Sequence, residues 1–307
     1  MRMRTALLLA LACAGLACAA PDELEDSYAA LKDAQGKKDP DLVKKQALET
    51  SKLAREVVAS KQPEDASEVD NWKQRVEYAK GVDTYTEYAL SVAALEPIDA
   101  AKVVDLVETL IAQNPKSQYL SQCAGVYLAA LGKQGGAKQV AGANKLIASV
   151  PNNEDVLFVL VSGPRTTADR SLGYANRLIT VLKSKAKPEG IAEADWERKK
   201  STMLGTASYV AGIIEGEKQA WVDCDRNLRA ALPFVSKDPQ SAAAAAAYFY
   251  LGLANYKLGA MISDKAKLRE AVKFSDQSAA IKGPYQATAF NNSILIKKEL
   301  GVGAARK

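Results

Sequence analysis

An all-α fold built from helical hairpins is what this sequence predicts, and three observations predict it. The pattern Leu251-Gly252-x-Ala254-x-Tyr256-x-x-Gly259 occurs 47 residues earlier as Leu204-Gly205-x-Ala207-x-Tyr209-x-x-Gly212. No stretch sustains the period-two alternation of a half-buried strand. Val156 to Ser162 is the one strand-like run, and the helix start Pro151-Asn152-Asn153-Glu154-Asp155 ahead of it makes it a short buried helix. Elsewhere apolar residues recur at helical spacing between Gly, Pro and Asn/Asp breaks, which divide the chain into about thirteen helices.

The chain opens with MRMRTALLLALACAGLACAA, a positive start, an apolar run from Ala6 to Leu16 and small residues before Ala20-Pro21. That is the pattern of a bacterial-type secretory signal. A membrane-spanning helix needs ~20 apolar residues, and this run is shorter and followed by acidic DELED. Export to the periplasm is therefore expected, with secretion or lipid anchoring through Cys18 as alternatives. Lipoprotein signals usually place a branched apolar residue three before the cysteine, and Gly15 stands there. Cleavage after Ala19 leaves 288 residues and, with Arg2 and Arg4 removed, a net charge of +3 instead of +5. No segment interleaves clustered lysines with aromatics, so nucleic acid is not an expected partner, and no other apolar run is long enough for a transmembrane segment.

Helices are expected at about Glu23 to Ala34, Asp41 to Ser60, Ser67 to Leu95 and Asp99 to Gln113, with breaks at Gly36 to Pro40, Gln62 to Asp65 and Glu96-Pro97. In the middle, Leu110-Ile111-Ala112-x-x-Pro115 returns as Leu146-Ile147-Ala148-x-x-Pro151, and Ala143-Asn144-Lys145-Leu146-Ile147 returns as Ala175-Asn176-Arg177-Leu178-Ile179. The same helix type thus closes three successive units, with partner helices at about Gln118 to Leu131 and Asn153 to Ser162. Beyond Pro188 come Ala192 to Ile214, Gln219 to Leu232, Asp238 to Leu258, Lys265 to Ile281 and a last helix from Pro284 to about Leu300. Its Lys297-Lys298-Glu299 end suits a terminal cap. Ala242 to Gly259 presents apolar or small residues on more than one face, so it must lie between neighbours. Gly252 is expected at a close helix approach and Gly259 at a helix stop. The domains read as 1–19 signal, 20–96 N-terminal hairpins, 97–190 central hairpins and 191–307 C-terminal repeats with a capping helix.

Helix pairs spaced by about 34 residues, opening on aromatic-x2-Leu-Gly and carrying a small residue in the second helix, resemble tetratricopeptide repeats. Tyr248-x2-Leu251-Gly252 carries the opening, and Ala271 with Phe274 resembles its second helix; Ala220 with Cys224 takes that part after Leu204-Gly205. A proline follows thirteen residues after each alanine, at Pro233 and Pro284. The resemblance implies a right-handed α-solenoid of tetratricopeptide-like hairpins whose first helices line a groove. Tyr209, Phe249, Leu253, Tyr256 and Lys257 are then candidates for contact with a protein or peptide partner. The competing reading is packing between adjacent units.

The chain has no histidine, which removes Ser-His-Asp and Cys-His nucleophile systems and most zinc sites. Cys123 and Cys224 lie about 100 residues apart outside any C-x-x-C motif, so two buried thiols are expected and no cofactor or metal. Glu64/Glu68, Asp83/Glu87 and Asp223/Asp225 pair carboxylates as acid-base chemistry would, but charged helices show such pairs on solvated faces. The expected function is that of an exported, non-enzymatic interaction scaffold in the bacterial envelope. Its alternatives are a lipid-anchored assembly factor, a small-molecule or sugar binder between Tyr209 and Tyr256, and a histidine-free enzyme.

Overall fold

The structure is a computed structural model that describes residues 22–301, so the leader with Cys18 lies outside the described residues. Among these residues there are thirteen helices and no strand. They form two compact units, divided after Tyr119.

Unit 1 contains α1 (Glu23–Gly36), α2 (Pro40–Val58), α3 (Val69–Leu95) and α4 (Ala100–Gln113). Asp22, Asp39 and Asp99 cap the first, second and fourth of these by accepting backbone N–H bonds, the satisfaction a helix start requires. Asp39 also explains why α2 begins one residue early: Pro40 stands in its first turn, where its missing N–H costs nothing. Leu24, Ala54, Ala79 and Val82 bring α1, α2 and α3 into one cluster. Each helix touches its sequence neighbour, and α1 also touches α3 and α2 touches α4.

Unit 2 contains α5 (Leu120–Gln134), α6 (Gly136–Leu146), α7 (Glu154–Ser162), α8 (Ala168–Ser184), α9 (Glu193–Glu217), α10 (Trp221–Val235), α11 (Ala242–Ile262), α12 (Lys265–Ala279) and α13 (Gln286–Glu299). The strand-like run is indeed helical in α7, capped by the buried Asn153. Each of α5, α7, α9, α11 and α13 touches the next in that series, whereas α6, α8, α10 and α12 touch only their sequence neighbours. The odd-numbered helices thus form one layer and the even-numbered ones brace it, a packing compatible with a helical repeat.

The repeat glycines explain how these layers close. A Cβ on Gly252 would stand 2.7 Å from the Ser275 hydroxyl and 3.2 Å from its backbone nitrogen, so glycine is what lets α12 lie against α11. Gly259 does not stop the helix. It is buried against the start of α12, where a Cβ would come within 3.1 Å of the Asp264 carbonyl, and α11 continues to Ile262 before Ser263 turns left-handed at φ 54°. The start of α11 also lies later than the sequence places it, because Ser241 supplies the cap. Ala220 stands at the N-cap of α10, outside the helix, and Gly205 meets Phe234 instead. The two echoes therefore share residue types but not a common contact register.

Candidate functional site: an aromatic surface on the odd-helix layer

Gly216, near the end of α9, has no side chain to hold the next hairpin away. A Cβ there would run into the ring of Tyr250, so this glycine seats Tyr250 of α11 directly on α9. Tyr250 lies edge-on to its neighbour Phe249, with ring centroids 5.2 Å apart. Tyr285, at the N-cap of α13, approaches Phe249 at 4.8 Å and Tyr250 at 6.1 Å. Tyr209 of α9 packs with Tyr250 and Tyr285 on one buried cluster that includes Ile213, Leu228, Tyr248 and Leu251. All four rings are half-buried. Three successive odd-numbered helices therefore contribute to one aromatic surface.

A charge pair accompanies it. Arg165, in the turn after α7, donates to both carboxylate oxygens of Glu217 at 2.9 Å. Burial pushes the Tyr209 and Tyr250 phenols above their ordinary range, with Tyr285 and Glu217 adding to the effect and Arg165 opposing it. Both phenols stay protonated at neutral pH and can donate hydrogen bonds. Apolar ring faces beside hydroxyl donors and a guanidinium suit the binding of peptide surfaces.

The five sequence candidates separate in space. Tyr209 and Phe249 belong to this surface, Phe249 through its contact with Tyr285. Leu253 is half-buried one turn further along α11. Tyr256 packs against Leu268, Ala271 and Ile296, in the seam with α12 and α13. Lys257 is exposed, with its ammonium 5.8 Å from the centroid of the Tyr256 ring. Tyr209 and Tyr256 thus pack on different clusters. Four residues of the surface were not among the candidates. Tyr250 adjoins Phe249 and Tyr285 begins the last helix, so both had a local aromatic signal; Arg165 and Glu217 are 52 residues apart and had none.

Unit 1 carries its own aromatic strip. Tyr28 of α1 lies 6.4 Å from Tyr78 and 5.1 Å from Tyr85, Tyr85 lies 5.6 Å from Tyr88, and Tyr88 lies 5.6 Å from Tyr119. Tyr78 and Tyr88 are 42% and 39% exposed, which makes this an open surface rather than a core seam. Lys32 stands 4.2 Å from the Tyr28 ring centroid, and the Tyr85 hydroxyl donates to the Gln35 side-chain carbonyl at 2.6 Å.

Of the three carboxylate pairs, Glu64 and Glu68 are exposed, and the other two have structural partners. Asp83 accepts from Ser51 at 2.5 Å and from Arg55 at 3.0 Å, and Glu87 accepts from Asn114 at 2.8 Å. Asp223 pairs with Arg226, and Asp225 with Arg229. Burial raises the Glu215 carboxyl, partly opposed by a 2.8 Å hydrogen bond from Asn227. Among the described residues no group of three or more Cys, Asp or Glu side chains is placed to hold a metal ion, and no helix is long and apolar enough to cross a membrane. Comparison with protein-family models, curated proteins and solved structures yields no match for this chain.

Proposed function

We propose that this chain is an exported, non-enzymatic scaffold with a right-handed, tetratricopeptide-like array in unit 2, and that it holds a protein or peptide partner on its odd-helix layer. The reading rests on one observation above all: Tyr209, Phe249, Tyr250 and Tyr285, from α9, α11 and the start of α13, share one half-buried surface beside the Arg165–Glu217 pair. Aromatic anchors with a polar rim are the means by which a few residues supply most of an interface's affinity. Export rests on the leader pattern from Met1 to Ala20.

The test is capture from a bacterial envelope with the tagged mature chain and its Phe249→Ala variant. A partner enriched by the parent chain should be lost from the variant by tenfold or more, while helicity and melting stay close to the parent's. Equal capture by both would remove this surface from the interaction. Detection of an acylated Cys18 in the native protein would replace free export by lipid anchoring.

A further inference from the structure

α13 has two apolar faces, and only one is used. Ala289, Ser293 and Ile296 are buried toward the rest of unit 2, while Phe290, Ile294 and Leu295 are 57%, 49% and 64% exposed. The contacts to α12 fix which edge is which. Ser293 and Lys297 both donate to Asp276, at 2.5 and 2.9 Å, so this side of α13 abuts α12. Phe290, Ile294 and Lys297 follow one another at i, i+4 and i+7, and their stripe therefore runs along the α12 edge.

The facing edge of α12 is cationic. Lys265, Arg269, Lys273 and Asp276 stand at i, i+4, i+8 and i+11, a stripe that reaches the α13 seam. All three cations are exposed, and among the described residues none has an ion-pair partner. Three acids of the α12 edge are engaged: Asp276 by Lys297 and Ser293, Glu270 by Arg229 at 2.6 Å, and Asp264 as the N-cap of α12. Lys298 adds a further exposed cation on α13. The surplus is general to the unit, since residues 120–301 hold 24 basic and 16 acidic side chains, a net of +8.

We propose that this α12–α13 edge is a docking surface for an acidic amphipathic helix of a partner protein. Phe290 and Ile294, one turn apart, supply the apolar part of this edge, and because the two helices run antiparallel the uncompensated cations of α12 continue it toward the C-terminal end of α13. A helix with an apolar stripe and a flanking row of carboxylates meets both. This surface is separate from the aromatic one and does not depend on it.

The test uses the full chain and a labelled synthetic helix of about four turns, matched to the 14 residues of α13. The probe carries leucines at i, i+3, i+4 and i+7 with glutamates on both flanks; a second probe has lysines in place of the glutamates. The glutamate probe should bind, and its affinity should fall steeply as salt is raised, because charge complementarity is screened. The Arg269→Glu, Lys273→Glu double variant should weaken it at least tenfold, and so should Phe290→Ser with Ile294→Ser. Melting should change little, because all four side chains are exposed. Equal binding of the lysine probe, or unchanged binding by either double variant, overturns the proposal. So does a self-associated chain that Ile294→Ser disperses, which assigns the face to a second copy. Adsorption to phosphatidylglycerol vesicles without probe binding assigns it to a membrane surface, and probe binding only after removal of residues 302–307 assigns it to the chain's own tail.

Discussion

Gly252 and Gly81 both sit inside long helices, yet their surroundings give substitutions opposite signs. A side chain at Gly252 would press on Ser275, and it would stand 3.2 and 3.3 Å from backbone atoms of Ser275 and Ala271 that cannot turn aside. Gly252→Leu should lower the urea midpoint, with a loss of ~1–3 kcal/mol from overpacking. Around Gly81 there is no atom within 4 Å of a Cβ, so Gly81→Ala should gain up to ~1 kcal/mol of helix propensity. A Gly252→Leu midpoint at or above the parent's would show that α11 and α12 are not in close contact. The thiols make a second residue-scale case. Burial pushes the Cys123 and Cys224 thiols up to about 12. In the unfolded chain each thiol ionises near its ordinary value, so the stability gained by burying it neutral is complete below that pH and is lost as pH rises toward 12. The loss is roughly 1.4 kcal/mol per thiol per pH unit. Replacing both with alanine should flatten the fall in unfolding free energy between about pH 9 and 10.5. An unaltered slope would mean that other groups govern it.

At the scale of elements, one buried amide joins three helices. Asn255 is fully buried; its amide donates to Asp225 at 2.6 Å and to the Leu251 carbonyl at 2.9 Å, and its carbonyl accepts from Arg229 at 3.1 Å. Arg229 of α10 also reaches Glu270 of α12 at 2.6 Å and lies 5.7 Å from the Phe274 ring centroid. Asn255→Leu keeps the bulk but strips these bonds, and should cost ~1–3 kcal/mol in denaturant unfolding through the groups it leaves unsatisfied. A neutral result would show that Asp225 and Arg229 satisfy each other without it. This network also shows what the sequence could convey. Asn255, Tyr256 and Lys257 are consecutive, but helical geometry turns Asn255 inward, sets Tyr256 against Ile296 and leaves Lys257 in solvent. Helices were legible because periodicity and breaks are local; Asp99 before α4 and Asn153 before α7 mark their starts directly. Half of the aromatic surface was legible for the same reason, since naming α9 and α11 as first helices brings in Tyr209 and Phe249. The Arg165–Glu217 pair and the Tyr28–Tyr85 contact depend on how helices distant in sequence are packed, and no local pattern encodes that.

For the whole molecule, a net charge near balance conceals two unlike units. Residues 22–119 hold 13 basic and 20 acidic side chains, a net of −7, against +8 for residues 120–301. Each unit taken alone thus carries the self-repulsion of a like-charged body, which packing between its own helices must outweigh. In unit 2 that packing is sequential: an odd-numbered helix touches the next odd-numbered one and its two sequence neighbours, and no contact reaches further along the series. Stability in such an array is a sum of local terms. Deleting α13 by ending the chain at residue 284 makes the consequence measurable. The deletion uncovers Tyr256, Leu268 and Ala271, which pack with Ile296, and removes the hydrogen bonds to Asp276. It takes nothing directly from α5, α6, α7 or α8. Native-state hydrogen exchange should therefore accelerate by tenfold or more in α11 and α12, less in α9 and α10, and hardly at all from α5 to α8. An equal acceleration throughout residues 120–284 would show that unit 2 opens as one cooperative body, in which case its layered packing, though repetitive in form, would not be repetitive in energy.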